Sequence, residues 1–213
     1  TAVGRAIKDS GIDRKNIFLS TKIWASEYEN ENAVEETLER LGVDYVDLLY
    51  IHQPAGNWLA GYRMLEKAYR EGKAKSIGIS NFEGKYMEEL ETKWEIVPQF
   101  IQVEAHPYFT QKELRVTLDK YGIKLMSWYP LGHGDTALMN ELVFAGLGKK
   151  YGKTPAQVIL RWHLRWIVLE LIAPGISGIH VDRVAETVQF PHTGNGHICL
   201  LYTSPSPRDG LLS

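Results

Sequence analysis

Strand-like and helix-like segments alternate along most of this chain, and that rhythm admits few folds. Ile17–Lys22, Val46–His52, Lys75–Ser80, Phe100–Ala105, Ile123–Trp128 and Ile167–Ile172 are short, apolar and rich in strand formers. Between them lie runs with apolar residues at helical spacing, such as Ala33, Val34, Leu38 and Leu41 within Asn32–Leu41. The other helical runs are Trp58–Glu71, Gly84–Thr92, Gln111–Tyr121, a long region over Ala137–Trp166, and Val181–Val188. Gly42, Gly72 and Gly122 stand where three of these helices must stop. The long region is broken by Gly146, Gly148, Gly152 and Pro155.

Strands that are apolar throughout, each followed by a helix, argue for a parallel sheet covered on both faces. An open doubly wound sheet and a closed barrel both satisfy that pattern. No Gly-x-Gly-x-x-Gly joins a strand to a helix, which speaks against the dinucleotide-binding form of the open sheet. The pattern contains six strand–helix units, whereas a closed barrel of this type takes eight.

Composition narrows the function classes. Net charge is -2 with no basic block, so nucleic acid and anionic membrane surfaces find no footprint. No run of eighteen apolar residues predicts a transmembrane helix, and the residues after Thr1 lack the apolar core of a signal peptide. A single cysteine, Cys199, cannot make an internal disulfide. A soluble, cytoplasmic protein is the expectation.

In a parallel barrel, chemistry sits where strands end. Lys22 ends one strand, in Ser-Thr-Lys-Ile-Trp, and a solvated rim lysine is the plain alternative reading. His52 ends the next, in Tyr-Ile-His-Gln-Pro, where a satisfied structural histidine is the plain alternative. Ser80 and Asn81 follow the third strand and could equally cap the next helix. Gln102 lies inside an apolar strand, where an amide must find partners. Trp128-Tyr129-Pro130-Leu131 closes a fifth. Glu104 and His106 are the one close pair with metal-ligand chemistry, and a loop-capping role for His106 is the stronger reading, so no metal is expected.

Taken together, Val-Asp-Tyr-Val-Asp-Leu-Leu-Tyr-Ile-His-Gln-Pro and Lys-Ser-Ile-Gly-Ile-Ser-Asn-Phe resemble the aldo-keto reductase family. The helix composition and the Gln of His-Gln-Pro look closest to its bacterial diketogluconate-reductase-like branch. The resemblance implies a (β/α)8 TIM barrel, here incomplete, and reduction of an aldehyde or ketone by NADPH. It implies that Lys22 lowers the pKa of a neighbouring acid tyrosine, and that His52 orients the substrate carbonyl. Trp24 then lines the substrate pocket beside His52. Ser80, Asn81 and Gln102 grip the nicotinamide carboxamide. Trp128 stacks on the nicotinamide ring, with Tyr129 as the neighbouring choice and Leu131 close by. Ser177 and Arg183 are the candidates for the adenosine 2′-phosphate. The basic residue that usually accompanies them is missing, which leaves NADPH and NADH as open alternatives. The intact protein is expected to be a monomer acting on a small carbonyl compound.

Two departures follow. The family's catalytic aspartate and tyrosine would precede Thr1, and no tyrosine present stands in that context, so the chain as written is expected not to turn over. From Pro191 the likeness ends, and Cys199–Asp209 resembles an in-frame translation of a transposase-type sequencing adapter. Residues 1–190 are therefore read as a partial barrel, and 191–213 as a non-native tail. A non-catalytic cofactor-binding regulatory module and a gene fragment without a function of its own are the competing readings.

Overall fold

The computed structural model describes residues 1–132, 136–166 and 201–203. The chain forms two compact units, one built on Thr1–Ile101 with residues 201–203, the other beginning at Gln102.

In the first unit, α1 (Ala2–Asp9) leads into β1 (Leu19–Ile23), and α2 (Ala33–Leu41) into β2 (Leu48–Ile51). Then come α3 (Trp58–Arg70), β3 (Ile77–Ser80) and α4 (Lys85–Glu91), before β4 (Phe100–Glu104) begins. Hydrogen-bonded neighbours run β3-β2-β1, and both pairings are parallel. On the other side of β1 lies β6 (Leu201–Thr203), also parallel, drawn from the tail. Every residue of β1, β2 and β3 is buried. That is what continuous apolar runs predict for strands covered on both faces.

Helix ends obey the local rules read from the sequence. Gly42 caps α2 in the left-handed region at φ 68°, a conformation that costs an L-residue with a Cβ far more. Asp47 ties the entry ends of the strands together. It accepts the Leu19 N–H at 2.9 Å, pairs with Arg14 at 2.8 Å and meets Lys75 at 3.2 Å.

In the second unit β4 completes its course beside β5 (Lys124–Trp128), with α5 (Lys112–Tyr121) between them in sequence. The long helical region is three helices, α6 (Thr136–Met139), α7 (Leu142–Tyr151) and α8 (Pro155–Trp166). Gly152 ends α7 in the left-handed region, and Pro155 opens α8 where its missing N–H costs nothing. Gly146 and Gly148, expected as breaks, lie inside α7. Gly148 is required there for a different reason: a Cβ would come within 2.6 Å of the Lys153 carbonyl oxygen. The expected strand Ile167–Ile172 and helix Val181–Val188 lie outside the described residues.

One close approach decides how the sheet of the first unit packs. Tyr50 is opposite Gly78 in register, and a Cβ at Gly78 would lie 2.3 Å from the Tyr50 ring. The ring occupies the space the glycine leaves. Gly78→Ala must displace a fully buried tyrosine, so it should lower unfolding free energy by about 1–3 kcal/mol in a urea titration. The same variant paired with Tyr50→Leu should recover part of that loss, since the steric conflict is removed.

Candidate active site

Register builds the site row by row. In the parallel pairs, Lys22 is opposite Tyr50, and Tyr50 is opposite Gly78. Residues level with one another in a sheet share a face, so this row points one way. Its neighbours Ile23, Ile51 and Ile79 form the next row and point the other way. One further residue along each chain brings Trp24, His52 and Ser80 back to the face of Lys22. The geometry bears this out for the first pair: the rings of Trp24 and His52 meet edge to face, 4.5 Å apart at 89°. Below them the Lys22 ammonium lies 5.8 Å from the Tyr50 ring centroid.

The loop leaving β2 is held at one point. Tyr28 donates its hydroxyl to the Gln53 carbonyl at 2.8 Å and accepts the Gln53 N–H at 2.9 Å. The His52 N–H donates to the Ile23 carbonyl at 3.0 Å, which sets the imidazole against the end of β1. Burial pushes the Tyr28 hydroxyl up to about 12, so it stays a neutral two-way linker at any working pH.

Electrostatics separate the two polar groups. Lys22 is only 5% exposed, and burial pulls its ammonium down to about 8. His52 is pulled down to about 4, first by burial and then by the charge of Lys22. Near neutral pH the pair is therefore an ammonium beside a neutral imidazole. Such an imidazole can donate an N–H to a carbonyl oxygen without carrying a charge of its own.

Ser80 is buried and Asn81 stands at φ 63°, a left-handed value that asparagine tolerates better than most residues. Neither occupies the N-cap position of the next helix, which is Gly84. The plain structural reading of these two residues thus loses its main support.

In the second unit, buried Gln102 donates its amide to the Met126 sulfur at 3.2 Å, and a thioether is a weak acceptor. Trp128 and Tyr129 stand at the end of β5 with ring centroids 4.6 Å apart. Tyr129 is 44% exposed and sits at φ 52°, unusual for any residue with a Cβ. Leu131 is half-buried in the turn that follows. His106 contacts Glu104 at 3.0 Å and exchanges backbone hydrogen bonds with Phe109, closing a tight loop. Among the described residues no group of three or more histidine, cysteine or acidic side chains could hold a metal ion. No described helix is long and apolar enough to cross a membrane. Ser177 and Arg183 lie outside the described residues.

Parallel strands carrying polar residues at their ends, with helices between, place the chain among the parallel α/β folds, open sheet or barrel. The sequence comparisons agree. The family model described as "Aldo/keto reductase family" matches residues 1–190, and the chain belongs to that family. A relative from Bacillus subtilis, named glyoxal reductase, is 43% identical over 167 residues, covering 76% of this chain and 60% of the relative. The solved aldo/keto reductase of Brucella melitensis is 40% identical with a TM-score of 0.71, over 76% of this chain and 64% of that one. A provisionally named 2,5-diketo-D-gluconic acid reductase B is 36% identical with a TM-score of 0.70, over 76% and 59%. The chain thus spans about three fifths of the length of the relatives it matches. The fold class is that of the (β/α)8 barrel, and the described residues contain five of its strand–helix units.

Three residues that matter here are not among the site candidates read from the sequence. Tyr28 ties the His52 loop, Tyr50 floors the row beneath it, and Gly78 makes room for Tyr50. The period-two step back from His52 and Ser80 was the signal that could have found the last two.

Burying an ammonium has a measurable cost. The folded pKa of Lys22 lies below the unfolded value, so between pH 8 and 10.5 the unfolded chain holds a proton the folded one has lost. Stability must rise with pH across that window and be lowest, for this group, below it. Lys22→Met should therefore stabilise the chain by about 1–3 kcal/mol at pH 7. In urea titrations the variant should also lack the part of the rise from pH 8 to 10.5 that belongs to Lys22.

Proposed function

We propose that this chain carries the lysine, the histidine and the nicotinamide contacts of a carbonyl reductase. The whole protein would interconvert a small aldehyde or ketone with its alcohol, with NADPH as the partner. The observation that carries this reading is the shared face of Lys22, Trp24 and His52, with a neutral imidazole beside an ammonium.

His52 offers its N–H to the carbonyl oxygen and orients it. Trp24, set edge-on against the imidazole, limits the ring to one orientation and walls the carbonyl from water. Lys22 keeps its proton near neutral pH and supplies positive charge where negative charge develops. That charge also lowers the pKa of any phenol brought beside it. The nicotinamide, when bound, supplies the hydride. Ser80, Asn81 and Gln102 are assigned to the nicotinamide carboxamide from their sequence context, since their side chains carry the donors and acceptors it requires. Trp128, or the more exposed Tyr129, provides the aromatic face on which the ring stacks, and Leu131 flanks it. Ser177 and Arg183 are assigned to the 2′-phosphate from their sequence context. The name of the Bacillus subtilis relative supports a small, reactive aldehyde as substrate. The family match ends at residue 190, which supports reading 191–213 as foreign to the reductase.

No tyrosine of this chain occupies the family's acid context, so binding and turnover should separate. In a fluorescence titration NADPH should quench tryptophan emission saturably, and Trp128→Ala should weaken the affinity at least tenfold. NADH should bind more weakly. With glyoxal added, NADPH absorbance should stay constant. Absence of saturable quenching would overturn the cofactor assignment, and glyoxal-dependent NADPH oxidation would show that another group supplies the proton.

A further inference from the structure

We infer that His163 is a positioning residue for the aromatic platform at the end of β5, acting through a single hydrogen bond to the Pro130 carbonyl. The inference rests on the assignment of Trp128 and Tyr129 to the cofactor and adds to it what holds them there.

The platform is strained. Tyr129 adopts φ 52°, although it carries a Cβ and precedes a proline, which steers its predecessor toward extended backbone. Such a conformation persists only where the surroundings over-determine it. Two contacts do so. The Gly132 N–H donates to the Tyr129 carbonyl at 2.8 Å, closing a four-residue turn around Pro130 and Leu131. From outside the turn, His163 Nε2 lies 2.8 Å from the Pro130 carbonyl oxygen.

That second contact dictates the state of the imidazole. A carbonyl only accepts, so Nε2 carries the hydrogen. The other ring nitrogen, Nδ1, is buried and has no hydrogen-bond partner among the described residues. A proton there would be a buried, unsatisfied charge, so the ring is neutral with Nδ1 bare. Burial also lowers the pKa of His163, in the same direction. His163 is wholly buried on the face of α8 that also buries Ile159, one turn earlier. Trp162 packs against its ring at 4.9 Å. The imidazole is therefore a fixed donor on a rigid helix, aimed at the middle of a strained turn. A histidine needed only to fill this space would have been served by leucine or phenylalanine, without leaving a bare buried nitrogen.

The test separates space-filling from the hydrogen bond. His163→Phe fills the site without a donor, whereas His163→Gln can present an amide N–H near the position of Nε2. The full chain is labelled with 5-fluorotryptophan, and the Trp128 resonance is assigned with Trp128→Phe. His163→Phe should shift or broaden the Trp128 fluorine signal and weaken NADPH binding at least fivefold. His163→Gln should restore both, with affinity within twofold of the unaltered chain. An unchanged fluorine signal and affinity in His163→Phe overturns the inference. So does a His163→Gln variant that folds, by far-ultraviolet circular dichroism, yet restores neither, and this arm decides the matter if His163→Phe fails to fold. If the unaltered chain shows no saturable NADPH binding, the platform assignment fails by itself. The fluorine signal then still decides whether His163 holds the turn.

Discussion

The parallel register of β1, β2 and β3 is the constraint from which the first unit's chemistry follows. Sliding β2 by one residue against β1 would set Lys22 opposite Leu49 or Ile51 in place of Tyr50. Tyr50 and His52 would then leave the face of Lys22 and Trp24, and Ile51 would take their place. Register is secured at the entry ends by Asp47, which binds β1 and two cations at once. It is secured in the middle by the fit of the Tyr50 ring over Gly78. The face that carries Lys22, Trp24 and His52 is thus set by contacts made elsewhere on the sheet.

Within that frame the fold accepts an unfavourable burial. An ammonium that is 5% exposed, with its pKa drawn down to about 8, would be better solvated almost anywhere else. Its presence also pulls His52 toward neutrality. The two effects reinforce one another, because a neutral imidazole costs less beside a cation than an imidazolium would. Stability is lowered at this point, and two neighbouring groups are left in different protonation states near neutral pH.

The second unit meets a related problem with backbone in place of charge. Tyr129 is held in a left-handed conformation by its own turn and by a histidine on the third helix further along the chain. The exposed ring and the strained backbone occur at the same residue. Local strain at a binding surface is common where a side chain must be presented at a defined angle.

How much of this was legible beforehand differs from residue to residue. Alternating apolar runs and glycine stops determined the β1–β5 order, the helices between them, and the burial of β1, β2 and β3 on both faces, because these depend on local periodicity and backbone freedom. The motifs around Lys22, His52, Ser80 and Asn81 determined the family, since each lies within a few residues of a strand end. Boundaries shifted inward by a residue or two, as at Leu48–Ile51, because ladder bonds and not apolarity define a strand's ends. What only the tertiary structure decided are the pairings between distant segments. Tyr50 over Gly78, Tyr28 on Gln53 and His163 on Pro130 join residues 25 to 33 positions apart. No local pattern encodes such a contact, because it depends on which faces meet once the sheet has closed its register. The protonation states of Lys22 and His52 belong to the same class: both follow from burial, and burial is a property of the packed chain.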